Sequence, residues 1–251
     1  MTLLIAAFAL TSQGLSPNEI FGKMLTKYFS AKSLTGTIEF NQSAEGRGEA
    51  GKATVKTSVA MKQPNFFAVD QNRVTSNGSR FRAICDGKQI AMTTPKDWAE
   101  LDPLKRVMYF PAPEGIGGAL DNFASILLDR QLPIAVALYN VVEVTAYVRP
   151  IRNLKLHDEV TIEGQPAYRL QGDYALTSAG PADPDKVRAV VWTPIYVYIS
   201  KSFDLLGMVY GETLQFTDPR TRQKSEFKVT NQWVVRLSVD VAVDEAVFKI
   251  G

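Results

Sequence analysis

Two residues of this 251-residue chain combine nucleophile, general-base and metal-ligand chemistry near neutral pH: one cysteine, Cys85, and one histidine, His157. A lone cysteine makes no internal disulfide, and one Cys with one His falls short of a four-ligand zinc site. Hydrolysis by a Ser-His-Asp or Cys-His mechanism would have to use His157. That residue sits in the charged stretch Lys155-Leu156-His157-Asp158-Glu159 and reads as an ordinary surface histidine. Cys85, beside Ile84 in an alternating stretch, reads as a small buried hydrophobe. No G-x-S-x-G elbow, phosphate-binding loop or H-E-x-x-H pair occurs. Gly115-Ile116-Gly117-Gly118 precedes a helical stretch and could meet an anion with its N–H groups. It lacks the Lys-Ser/Thr of a nucleotide loop, so it reads as a helix lead-in. Asp97, Glu100 and Asp102, and Asp183 with Asp185, are acidic groups on loops with no cleft around them. The expectation is a chain that is not an enzyme and has no metal site and no cofactor.

The composition suits a folded domain. Hydrophobic residues make up 45% and charged residues 22%, enough to bury a full core and too apolar for a disordered chain. A formal net charge of +2, spread along the chain, does not make a nucleic-acid surface. The run Met1 to Leu10 is apolar and passes into Thr11-Ser12-Gln13-Gly14. It is short of the roughly 20 apolar residues that span a bilayer, and it fits the core and cleavage region of a secretory signal without the basic flank. Residues 1–14 are therefore expected to be a signal peptide, and residues 15–251 a single exported domain, soluble and monomeric.

Local patterning describes a helix followed by strands. Ser16-Pro17-Asn18-Glu19 is a capping box with proline at the first helical position. Ile20, Phe21, Met24, Leu25, Tyr28 and Phe29 continue it as one apolar stripe, expected to lie on a sheet. From Leu34 the period becomes two, with Gly36, Ile38 and Phe40 sharing a face. Asn41 to Gly51 reads as a loop. Strands follow from Ala53 to Met61, Phe66 to Val69, Arg80 to Cys85, Lys88 to Met92 and Arg106 to Phe110, with Asp86-Gly87 signalling a type I′ hairpin. Ala119 to Arg130 reads as a helix and Pro133 to Tyr139 as further helical turns. Strands resume at Lys155, with Leu206 to Tyr210 and Thr213 to Thr217 reading as two separate ones. Glu163-Gly164 marks another hairpin, Pro194 implies an edge or a bulge, and Phe227 to Val239 alternates over its whole length. The sum is a mainly β (α+β) antiparallel meander. Adjacent aromatics such as Phe66 and Phe67 point to opposite sides of such a sheet. Either helices and loops cover its two faces, or one face forms an apolar cavity.

The order of these pieces resembles the LolA/LolB-like periplasmic lipoprotein carriers and their outer-membrane lipoprotein-sorting relatives. The resemblance is carried by Ile20 to Leu25 with Leu34 to Ile38, by Lys62-Gln63-Pro64-Asn65-Phe66-Phe67-Ala68-Val69, and by Cys85 to Ile90. Val160 to Leu170, Tyr196 to Ser200 and the closing Asp244-Glu245-Ala246-Val247-Phe248 complete it. It implies a strongly curved antiparallel sheet, an unclosed half β-barrel covered by the N-terminal helix and by a central helical lid at Leu120 to Tyr139. It also implies a periplasmic location and an apolar cavity for a lipid or lipoprotein acyl chain. The residues expected to line that cavity are Ile38, Phe40, Phe66, Phe67, Tyr109, Phe123, Leu127, Leu128, Tyr196 and Tyr198. The same fold also serves envelope sensors, so the alternative is an interaction domain with a protein partner and no transported lipid.

Overall fold

The computed structural model describes residues 14–46, 49–74, 80–93, 107–112, 114, 151–177, 190–217 and 221–250. Residues 1–13 of the expected leader, the Asp97 and Asp183 groups, Gly115 to Gly118 and the expected helical lid lie outside them. The chain is mostly β. Helix α1 (Pro17–Phe29) is followed by β1 (Ser33–Gly46), β2 (Glu49–Lys62), β3 (Phe66–Arg73), β4 (Arg80–Asp86), β5 (Gln89–Thr93) and β6 (Val107–Pro111). After β6 come β7 (Arg152–Leu156), β8 (Val160–Ile162), β9 (Gln165–Thr177), β10 (Val190–Ser200), β11 (Leu205–Thr217), β12 (Lys224–Val239) and a single 3-10 turn, η1 (Glu245–Phe248).

These strands form one antiparallel sheet in the order β6-β5-β4-β3-β2-β1-β12-β11-β10-β9-β7, with β8 attached to β9. Its two end strands do not pair with each other, so the sheet is unclosed among the described residues. Ile90 of β5 and Leu170 of β9 belong to one buried cluster with Ile20 and Met24 of α1. Eight inter-strand steps separate β5 from β9, a distance of nearly 40 Å in a flat sheet at about 4.8 Å per step. Buried side chains across that width thus form one continuous core with α1. Gly36 lets β12 approach closely: its φ is +150°, and a Cβ there would lie 2.1 Å from the Arg236 carbonyl oxygen on β12.

The helix begins where its capping box predicts. Ser16 Oγ accepts from Glu19 N at 3.3 Å, and Glu19 Oε2 accepts from Ser16 N at 2.8 Å. Ile20, Phe21, Met24 and Tyr28 are buried against the sheet, while Phe29, expected on the same stripe, points to solvent. The helix is strapped to the β10–β11 turn at its C-terminal end. Leu205 N donates to the Tyr28 hydroxyl at 3.0 Å, and Lys27 is ion-paired with Asp204. Burial raises the Asp204 carboxyl, but hydrogen bonds from Lys27 and Ser202 outweigh it and hold the group below its usual range.

Three local expectations need correction. Asn41 to Gly46 is strand rather than loop, since β1 pairs with β12 as far as Glu45↔Lys228 and with β2 as far as Gly46↔Glu49. A polar stretch supported on both sides by ladder bonds needs no apolar alternation to stay extended. Asp86-Gly87 does make a hairpin, but Gly87 alone takes positive φ, whereas a type I′ turn needs two such residues. The pair Glu163 (φ 49°) and Gly164 (φ 81°) meets that requirement instead. Finally, Leu206 to Tyr210 and Thr213 to Thr217 are one strand, not two. Pro194 lies just beyond Ile195↔Tyr210, where pairing with β11 stops, so its missing N–H breaks no ladder on that side.

Burial pushes the Tyr28 phenol up to about 12, from an ordinary value of 10.0. The unfolded chain ionises first, so the stability contributed by the neutral phenol is full below pH 10 and is lost as pH rises through 12. Thermal melts of the wild type should fall between those limits more steeply than melts of Tyr28→Phe. At neutral pH the variant should lose about 1–2 kcal/mol, because the Leu205 N–H is left without its acceptor. Parallel curves for the two proteins would show that Tyr28 is not the linked group.

Candidate functional site

The face that α1 covers is the candidate site, and the β12 register shows which side chains share it. Val229, Asn231, Trp233, Val235 and Leu237 are buried on one side of β12, and Lys228, Thr230, Gln232, Arg236 and Ser238 project to the other. Pairing carries this parity across the sheet. Phe40 lies opposite Trp233, Val55 opposite Phe40, and Met208 opposite Trp233 on the other flank. A helix of 13 residues is about 20 Å long, whereas β12, with 16 residues, runs about 50 Å. The helix is therefore less than half as long as β12.

Further along the inner face lies a belt of aromatic rings. Phe40 stacks on Trp233 at 4.8 Å between centroids, Trp233 on Tyr210 at 5.6 Å, and Tyr210 meets Tyr174 at 5.0 Å. The belt thus runs from β1 over β12 and β11 to β9. Trp233 is only 2% exposed. Buried rings of this size dominate the energetics of any surface they form.

Beyond the belt the inner face becomes polar. Gln42 Nε2 donates to Asn231 Oδ1 at 2.8 Å, and Asn231 Nδ2 donates to Glu212 Oε1 at 2.9 Å. Gln71 Nε2 donates to Thr57 Oγ1 at 3.1 Å, with both residues buried. Arg73, opposite Val55 on the same face, has a buried Nε without a hydrogen-bond partner among the described residues. The inner face thus passes from an apolar floor to a collar of amide, carboxylate and guanidinium groups; Trp233, Tyr210, Tyr174 and Asn231 are all buried, so a molecule would reach them only by displacing what covers them.

The ten residues expected to line one cavity do not share a face. Ile38 and Phe67 are buried on the inner side, and Phe40 is half-buried in the belt. Phe66, Tyr109, Tyr196 and Tyr198 have the opposite parity and face outward. Phe66 is covered there by Phe248 of η1, with ring centroids 5.7 Å apart, while Tyr109 is 56% exposed. Tyr196 meets the edge of the His157 ring at 6.1 Å and the Arg169 guanidinium at 5.9 Å. Phe123, Leu127 and Leu128 lie outside the described residues. Trp233, Tyr210 and Tyr174, which make most of the belt, were absent from the expected set. The alternation of β12 in the sequence already placed Trp233 with Val235 and Leu237.

The two reactive side chains sit in different surroundings. Cys85 is fully buried on β4, and burial pushes its thiol up. The His157 side chain is exposed and meets Tyr196. Among the described residues no group of three His, Cys, Asp or Glu side chains is placed to hold a metal ion. No described helix is long and apolar enough to cross a membrane.

No protein-family model matches the chain, and no curated protein matches it either. Solved structures similar to it include LprF from Mycobacterium bovis, at 11% identity and TM-score 0.39, over 90% of this chain and 96% of that one. A LolA superfamily protein from Nitrosomonas europaea aligns at 10% identity and TM-score 0.32, over 94% and 99%. MucB in complex with MucA, at 13% identity and TM-score 0.37, is matched over 94% of this chain and 60% of that one.

Asn231 is 1% exposed and bonds to both Gln42 and Glu212. Replacing it by alanine strands both partners, so Asn231→Ala should lose about 1–3 kcal/mol in urea unfolding. A change within experimental error would mean that water reaches the collar freely.

Proposed function

We propose that this chain is a binding protein, not an enzyme, and that its inner face receives the apolar chain of a lipid or of a lipoprotein acyl group. The observation that carries this reading is the aromatic belt Phe40–Trp233–Tyr210–Tyr174 bordered by the Gln42–Asn231–Glu212 collar. A chain laid along the belt gains roughly 0.8 kcal/mol per buried CH₂, so holding it calls for no reactive group. The collar would meet the polar end. The apolar leader at residues 1–14 adds an exported, envelope location to the proposal, where shielding such a chain from water is the physical task.

A second reading, a domain that engages a protein partner, is favoured by one specific observation, an open strand edge beside Leu237. The two readings differ in what each surface should bind.

The lipid reading is tested with Trp233 as the reporter. In a chain carrying Trp98→Phe and Trp192→Phe, Trp233 is the only remaining tryptophan. Titration with brominated stearic acid should quench its emission saturably. Native mass spectrometry of the protein purified from its own cells should in turn show a bound amphiphile that denaturation releases. A clean apo mass together with unquenched Trp233 would rule the reading out.

A further inference from the structure

The sheet has an opening in its middle. Pairing between β11 and β12 begins at Gly207↔Val234 and runs away from α1, so Val235 to Val239 have no β11 partner. A bulge causes the separation: Tyr198 pairs with Gly207, Ile199 pairs with Leu205, and Leu206 is the extra residue. Leu205 is drawn to the helix instead, its N–H held by the Tyr28 hydroxyl at 3.0 Å. The slot left between the start of β11 and the end of β12 has a volume of about 460 Å³.

The hydrogen-bond phase shows what faces this slot. Asp240 N donates to the Ser33 carbonyl at 2.9 Å, and Ser238 is paired with Thr35 on β1. Even-numbered residues at this end of β12 thus exchange their bonds with β1, and Leu237 and Val239 direct N–H and C=O the other way, into the slot. No strand among the described residues takes those groups. The walls also have a consistent polarity. Leu205, Val235 and Leu237 line the inner side and are buried. The outer side carries Arg236, ion-paired with Glu163 of the β8–β9 hairpin, together with Gln165 and Ser238. With Lys27–Asp204 at the helix end, the charged residues of the slot form two ion pairs and leave no net charge to attract an ion.

We propose that this slot binds an extended segment of a partner protein by strand addition to β12, and that the segment is uncharged and alternates apolar with small polar residues. Its backbone would take the free groups of Leu237 and Val239, its apolar side chains would face Leu205 and Val235, and its polar ones would meet the Arg236–Glu163 rim. A free ion is not attracted by balanced walls, and an alkyl chain leaves the edge groups unpaired. The site is separate from the aromatic belt and does not depend on what the inner face holds.

Amide hydrogen exchange by NMR on the intact chain tests this, with acetyl-Ser-Val-Thr-Val-Ser-amide as the probe. In the free protein the Leu237 and Val239 amides should exchange much faster than Ser238. The peptide should slow both by roughly tenfold or more and leave Ser238 unchanged. Val239→Pro removes one of the free N–H groups without touching the β1 ladder, and it should bind the peptide roughly tenfold more weakly than Val239→Ala. Protection of both amides before any peptide is added would mean that the edge is already paired, and would overturn the proposal. So would exchange that the peptide leaves unchanged, or protection brought about by palmitate in its place.

Discussion

Eleven of the twelve described strands fall into two runs that are contiguous in sequence, β1 to β6 and β7 to β11, and neither run pairs directly with the other. They are joined through β12, which lies between β1 and β11. Its ladder with β1 extends from Leu34↔Val239 to Glu45↔Lys228, and its ladder with β11 from Gly207↔Val234 to Thr217↔Lys224. Among the described strands β12 therefore completes the sheet, and its ladder with β1 joins segments from opposite ends of the described chain, whereas nearly all other ladders join strands consecutive in sequence. Such a topology pays loop-closure entropy before the contacts repay it. The α1 straps at Asp204 and Leu205 make a second long-range link, from the first helix to the C-terminal half.

The central position of β12 also determines the chemistry of the inner face. Side chains alternate, so the register of one strand against two neighbours sets which residues meet across all three. Trp233 is placed to touch both Phe40 and Tyr210, and two positions further on Asn231 is placed to bond both Gln42 and Glu212. A slip of one residue would turn Lys228, Thr230 and Gln232 inward and remove both the belt and the collar. The apolar-to-polar gradient of the candidate site is thus a consequence of pairing in the middle of the sheet.

Much of this was legible in the sequence, and the failures have physical causes. The capping box placed α1, and the strict alternation of Phe227 to Val239 identified β12 and the residues it points inward. Asn41 to Gly46 reads as a loop because its support comes from ladders on both sides, one of them more than 180 residues away, rather than from its own pattern. Phe66, Tyr196 and Tyr198 were assigned to a cavity on aromatic character, yet alternation alone does not say which parity faces inward. For the Phe66-Phe67 pair both faces turn out to be covered. Phe67 enters the core, and the closing turn at Asp244 to Phe248 covers the outer face over Phe66, with Lys62 ion-paired to Glu245 beside it.

The bulge at Leu206 shows how one irregularity can serve two ends. If β11 continued its register, Leu206 would pair with Val235 and the slot would close, but Leu205 would then lie in the ladder and not beneath α1. Releasing it lets Leu205 N reach the Tyr28 hydroxyl, so the helix gains a buried anchor at the expense of strand pairing. That exchange costs little if water or a partner satisfies Leu237 and Val239, and much if they are sealed away from both. The ion pair of Arg236 with Glu163 holds the β8–β9 hairpin tip at the rim of the slot, on the outer face. The arrangement keeps one interior edge of an otherwise paired sheet reachable from outside, next to the helix that closes the core.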